Sequence, residues 1–291
     1  MGAADVVPGV SGGTIAFITG IYEELLSSIG NVNPQAFKKL FKEGVLSFWK
    51  HVNGNFLIVL FLGIIVSFFS LAELMTFLMT DHPLLLWSFF FGLIVASIWL
   101  IGKTIKSWNI ASIIGIAAGT AIAYYITITS PAQTSEAHWF TFLSGAVAVC
   151  AMILPGISGS FILLLMGKYE YIMNAISNRE FDVIIVTVLG CITGLLTIAK
   201  LLSWTYKKFK NATIAVLTGF MIGSLNKVWP WKLTLETTVD RHGETIPLVQ
   251  QSVLPQNFDG ESLLIWAIVW AIIGFSAIVL LEKFSNKPVE D

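Results

Sequence analysis

Pro8-Gly9-Val10-Ser11-Gly12-Gly13 returns 147 residues later as Pro155-Gly156-Ile157-Ser158-Gly159-Ser160, and the fold follows from where these two stretches sit in the chain. The same offset pairs Gly20 with Gly167, Tyr22 with Tyr169 and Glu23 with Glu170, and nine of the 22 positions from Pro8 to Ile29 are identical. Chance does not supply so many matches, so the stretches read as two copies of one unit. Further on the offset becomes 127, pairing Gly63 with Gly190, Ala72 with Ala199, Gly92 with Gly219 and Ser97 with Ser224. The change of offset reflects a longer lysine-rich loop in the first copy.

Around these copies the chain is too apolar for a soluble domain. Of 291 residues 55% are apolar and 12% charged, against about 25% charge in an ordinary globular protein. Mean hydropathy is +0.79. Six blocks approach the roughly 20 residues that span a hydrocarbon core: Asn55–Met79, Pro83–Gly102, Ile110–Thr129, Val183–Trp204, Ala212–Val228 and Ser262–Leu281. A net charge of −1 excludes nucleic acid as partner, since that needs a basic face. Cys150 and Cys191 lie in apolar blocks and the four histidines are scattered singly, so no metal site is expected. The start of the chain lacks the basic region and cleavage site of a signal peptide.

Loop charge orients the spans. Lysines gather in Gly30–Gly54, in Gly102–Asn109, in Thr205–Asn211 and at the C-terminus, whereas Thr80–His82 and Ser130–His138 have none. The positive-inside rule makes the lysine-rich set cytoplasmic, with both termini. The segment Trp139–Ser177 then enters and leaves on the outer side, so it is expected to form a re-entrant hairpin turning at Pro155–Ser160. The prediction is an all-α integral membrane protein of two inverted-topology repeats, with six transmembrane helices and two re-entrant helical hairpins. The first repeat covers 1–129 and the second 139–291, with an outer loop at 229–261. The second copy has an arm, Trp139–Leu154, before its Pro, and the first has only seven residues there, so either the first hairpin is truncated or the sequence begins inside it.

The hairpin tips carry the candidate chemistry. Pro ends an incoming arm, the glycines permit close approach, and Ser11 and Ser158 stand where an outgoing helix needs a side-chain cap. Free N–H groups at such a helix start suit an anion. Ser11, Gly12, Gly13, Thr14, Ser158, Gly159 and Ser160 are therefore the predicted phosphate-type site, needing no deep cation. The competing reading is close helix packing by small residues. Charges near the spans form a second group. Glu73 and Lys200 occupy equivalent repeat positions, where snorkelling competes with a transport role. Asp5 precedes the first tip and is a candidate for a coupling proton or ion. Lys168 is a candidate headgroup contact, and Glu23 and Glu170, beside Tyr22 and Tyr169, are expected to close the outgoing helices. No nucleophile, metal or nucleotide motif converges on the tips, so neither catalysis nor a cofactor is expected. Inverted repeats with interrupted segments are a transporter pattern, and a small-anion channel or exchanger, or a membrane enzyme acting on a lipid phosphate, are the alternatives.

Gly2-Ala3-Ala4-Asp5-Val6-Val7-Pro8-Gly9-Val10-Ser11-Gly12-Gly13-Thr14-Ile15-Ala16 with Gly20-Ile21-Tyr22-Glu23 resembles the opening motif of the PopT-type polyprenyl-phosphate transporter family. Leu154-Pro155-Gly156-Ile157-Ser158-Gly159-Ser160 with Gly167-Lys168-Tyr169-Glu170 resembles its second. The resemblance spans essentially the whole chain. It implies a flippase of a bacterial or archaeal cytoplasmic membrane that returns undecaprenyl phosphate, the lipid carrier of envelope precursors, from the outer to the cytoplasmic leaflet.

Overall fold

A computed structural model describes residues 1–2, 11–132, 134–239 and 245–285. Asp5 and the Pro8-Gly9-Val10 part of the first motif lie outside them. The first part of the chain forms α1 (Gly12–Ile18), α2 (Tyr22–Gly30), α3 (Pro34–Glu43), α4 (Val45–His51), α5 (Gly54–Asp81), α6 (Pro83–Lys103) and α7 (Ile110–Ile128). The second part forms α8 (His138–Ile153), α9 (Gly159–Leu165), α10 (Tyr169–Asn178), α11 (Phe181–Lys208), α12 (Lys210–Ser224), the strands β1 (Lys232–Val239) and β2 (Thr245–Ser252), and α13 (Leu264–Ser285).

Helices α5, α6, α7, α11 and α13 are long and apolar enough to cross a membrane. The sixth expected span is corrected. Ala212–Val228 is helical only to Ser224, and Leu225–Val228 form a turn beyond the 15-residue α12. An all-helical reading also missed the β1–β2 antiparallel hairpin, whose alternating Thr and apolar residues suit a strand of short reach.

Small residues decide which helices touch. A β-carbon on Gly92 of α6 would collide with the Ala271 carbonyl of α13, and one on Gly274 with the Phe89 carbonyl. Between α7 and α12 the same happens at Gly119, against the Val216 carbonyl, and at Gly219, against the Ile116 carbonyl. Backbones meet this closely where glycines let them, the packing mode of helices in lipid. Successive contacts climb both helices of each pair together, so α6 runs parallel to α13 and α7 parallel to α12. The lysine-rich turns before α7 and α12 consequently share one end of the bundle, where the Asn211 side-chain amide donates to Ser107 Oγ at 2.7 Å. Helix α6 is the most buried of the five long helices, and its inward face (Phe90, Leu93, Ile94, Leu100, Ile101) packs with Ile214, Met221 and Ile278 in the main core.

Candidate functional site

Helix α8 stops at Ile153 because Leu154 turns to extended backbone and Pro155 cannot extend the helical ladder. Gly156 follows at φ +90°, where a β-carbon would also lie 2.7 Å from Ser224 Oγ. Only glycine satisfies both demands. Ser158 then stands at the N-cap position of the seven-residue α9. The far end of α9 returns to the segment that leads into α8, where Ala132 N–H donates to the Leu165 carbonyl at 2.9 Å. Residues 138–165 therefore leave and rejoin the same end of the bundle. At the first motif Ser11 is the N-cap of the equally short α1 and accepts the Gly13 N–H at 3.1 Å, as its position in the motif predicts. Ser158 makes no such cap bond; its hydroxyl lies 2.9 Å from Ser160 Oγ.

The two motifs meet. Ser11 Oγ donates to the carbonyls of Met152 and Leu154, each at 3.2 Å. Thr14 Oγ1 accepts the Gly156 N–H at 3.1 Å, and the buried Tyr22 hydroxyl donates to the Ile153 carbonyl at 3.1 Å. A β-carbon on Gly13 would stand 2.6 Å from that same Ile153 oxygen. The end of α8, where a helix leaves carbonyls without partners, is thus satisfied by side chains of the first motif. Ser11, Gly12, Gly13, Thr14 and Gly159 are all buried, and the hydroxyls of Ser11 and Thr14 face the second tip as structural partners. Ser158 is half-buried and Ser160 exposed.

Beside the second tip a cleft opens that the sequence reading missed. Its inner recess is bounded by Gly156, Ser158, Ser224 and Lys227. Thr127, Phe161 and Lys227 continue into an outer part that reaches Asn226, Lys232 and Ser252. Its frame is polar and fixed: the Asn226 side-chain amide donates to Thr127 Oγ1 at 2.9 Å, and Ser252 Oγ donates to Asn226 Oδ1 at 2.9 Å. Lys227 holds its ammonium 4.0 Å from the Phe161 ring centroid. Lys232 donates to the Lys227 carbonyl and lies 4.7 Å over the Trp87 ring. Both lysines lie beyond α12, outside the long helices, and among the described residues neither has a carboxylate partner. Burial lowers Lys227 to about 8. Burial, and then the charge of Lys227, lowers Lys232 to about 7. Two half-buried cations without an anion are costly, and the cleft offers a place for the missing charge.

The other candidates lie elsewhere. Glu73 and Lys200 are exposed on α5 and α11, and neither lines the cleft. Lys168 is buried, its ammonium 4.4 Å from the Tyr171 ring centroid and 5.8 Å from that of Phe140, and it does not line the cleft. Glu23 and Glu170 are exposed and open α2 and α10 rather than closing the helices before them, a placement the helix dipole favours. Tyr22 is buried in the seam between the motifs, whereas Tyr169 is exposed.

A family described as undecaprenyl phosphate translocase-like matches residues 1–246. The chain is 43% identical over 291 residues to the polyprenyl-phosphate transporter of Vibrio cholerae serotype O1, covering 99% of this chain and 94% of that protein. It is 31% identical over 248 residues to the polyprenyl-phosphate transporter of Staphylococcus aureus, covering 79% of this chain and 83% of that one. No solved structure matches the chain. By motif pair, extent and identity alike, this protein belongs to the undecaprenyl phosphate translocase-like family.

Proposed function

We propose that this protein carries polyprenyl phosphate across a cytoplasmic-type membrane, from the outer to the cytoplasmic leaflet, by alternating access between two inverted repeats, without catalysing a reaction. The relatives' names support the substrate, and the seam between the motifs carries the mechanism. Side chains of the first motif close over the second tip through the hydrogen bonds of Ser11, Thr14 and Tyr22. The cleft opens beyond that tip, toward the end bearing β1 and β2. Such a one-sided cavity, closed on the far side by bonds between equivalent elements, is what one state of an alternating-access cycle requires.

The glycine contacts support the repeat reading. Gly92 and Gly219 are 127 residues apart, as are Phe89 and Val216, while 155 residues separate Ile116 from Ala271 and Gly119 from Gly274. Exchanging the halves therefore turns the α6–α13 contact into the α12–α7 contact, atom for atom. In this reading 138–165 is the re-entrant hairpin of the second repeat. Lysine-rich turns face the cytoplasm, and the polyprenyl tail stays in lipid while the phosphate crosses.

The test uses proteoliposomes carrying polyprenyl phosphate in both leaflets and a membrane-impermeant phosphatase outside. Purified protein is expected to expose the inner-leaflet pool to cleavage, and protein-free vesicles to retain it. Equal retention in both, or passage of free inorganic phosphate at the rate expected of a channel, would replace this reading with the small-anion alternative.

A further inference from the structure

We infer that Lys227 and Lys232 form the cationic half of a phosphate-monoester site in the cleft at the second hairpin tip, with Ser158 lining its inner recess. The inference rests on the transport reading above and supplies the charge partners that reading lacks.

The starting point is an imbalance. Among the described residues, every other one lining the cleft, on and just after α7, at the second tip, on α9, in the turn after α12 and on β2, is uncharged. The two ammonium groups therefore face each other's field with no carboxylate between them, a destabilising arrangement unless an anion enters. Lys232 spends one of its three protons on the Lys227 carbonyl, which accounts for its position near the end of α12. Lys227 has no such account. Its ammonium rests against the Phe161 ring and among the described residues makes no hydrogen bond. Lysine is a compact, rotatable donor suited to a phosphate oxygen as a point charge.

A phosphate monoester carries about −1.5 to −2 charge at neutral pH, which two ammonium groups neutralise. A carboxylate or chloride would leave one uncompensated. The walls fit the same class. Ser158 supplies a hydroxyl at the tip end, and Phe161 and Leu165 of α9 make an apolar face beside it. A phosphate with an attached hydrocarbon meets both surfaces, and free inorganic phosphate meets only the first. The cleft also touches the backbone that the first motif holds shut, since Gly156 lines it on one side and donates to Thr14 on the other. An anion here acts on the seam directly.

The experiment measures binding of undecaprenyl phosphate, of undecaprenol and of inorganic phosphate to the purified full chain in nanodiscs. The parent is compared with Lys227→Gln, Lys232→Gln, the double variant, Lys227→Arg and Lys103→Gln. Each neutral single variant is expected to bind the lipid phosphate about tenfold more weakly, and the double variant at least about a hundredfold, the scale of hydrogen bonds to charged groups. Lys227→Arg is expected to stay within a few-fold of the parent, and Lys103→Gln, at the opposite end of the bundle, to be unchanged. Melting temperatures of the lipid-free variants at or above the parent's separate lost binding from lost folding. If the parent prefers lipid phosphate over the alcohol and the double variant binds within threefold of it, the site is overturned while the transport reading stands. A parent that binds the alcohol equally well overturns both. Lysine-dependent binding of inorganic phosphate with no binding of the lipid keeps the site and overturns the lipid substrate.

Discussion

Replacing Gly13 by Ala adds one carbon and tests the seam directly. That carbon would lie 2.6 Å from the Ile153 carbonyl oxygen, whereas such carbon–oxygen contacts settle near 3.3 Å or more. The obstacle is backbone at the end of α8, not the tip of a flexible side chain. The motifs must therefore part by roughly 0.7 Å, since a C···O contact relaxes to about 3.3–3.6 Å. The seam bonds of Ser11, Thr14 and Tyr22 stand at 3.1–3.2 Å. Stretched by that amount they pass the roughly 3.5 Å at which a hydrogen bond ceases to count as one. Three lost bonds at about 0.5–1.5 kcal/mol each give on the order of 2–4 kcal/mol, with the buried Gly156 N–H at the upper end because it is left without a partner. Ser11→Ala loses a single donated bond and the Gly13 contact, on the order of 1–2 kcal/mol, so the smaller chemical change at Gly13 should do the greater damage. Gly63→Ala is the control, because a β-carbon there meets open space and alanine favours the helix. The measurements are melting temperature in nanodiscs and the phosphatase-exposure rate in proteoliposomes. Gly13→Ala should lower the first well below both comparators and alter the second. A Gly13→Ala protein that melts and transports like Gly63→Ala would refute the claim that this contact closes the cavity.

The other predictions address charge, symmetry and orientation. Because folding holds Lys232 near 7 and Lys227 near 8, below the ordinary lysine value, their charged forms destabilise the lipid-free protein. That destabilisation is fully present below about pH 7 and is relieved progressively between there and the ordinary lysine value of 10.5. Lys232→Met should accordingly raise the melting temperature more at pH 6 than at pH 9, and a parent whose stability falls across that range would contradict the buried-cation picture. Lipid-phosphate affinity should move oppositely, weakening from pH 7 to pH 9 as the ammonium groups lose their protons, as titration calorimetry would record. Gly119→Leu and Gly274→Leu make the same collision in exchanged halves and should destabilise by similar amounts; a neutral result at one position alone would break the equivalence. Single cysteines at Ser107 and Asn211 should label from the cytoplasmic face, and one at Asp259 from the other; labelling of Ser107 and Asp259 from one face would end the inverted-topology reading.

What the sequence disclosed, and what it withheld, follows from how each feature is encoded. The motif pair was legible because a helix break needs particular residues in order: Pro155 to stop α8, Gly156 to adopt φ +90°, and a serine to begin the next helix. The same-end placement of the lysine-rich turns was legible too, since lipid sorts charge along the chain. The partners of Ser11 and Thr14 were not. A serine that caps its own helix and one that also bonds a carbonyl 143 residues away look alike in sequence, so the bonds that these hydroxyls make to the second motif could not be read from it. Lys227 and Lys232 escaped for a related reason. They reach the second tip only because the Asn226–Thr127 and Ser252–Asn226 bonds fold the turn after α12 against α7 and β2. One trace of them was present nonetheless. Positive charge is expected on the cytoplasmic side, yet two lysines bracket Val228-Trp229-Pro230-Trp231 at the end assigned to the outside. A lysine that breaks the charge rule beside an aromatic turn needs a local reason to be there. Under the proposed function, the reason that fits this cleft is a phosphate anion held beside the two lysines.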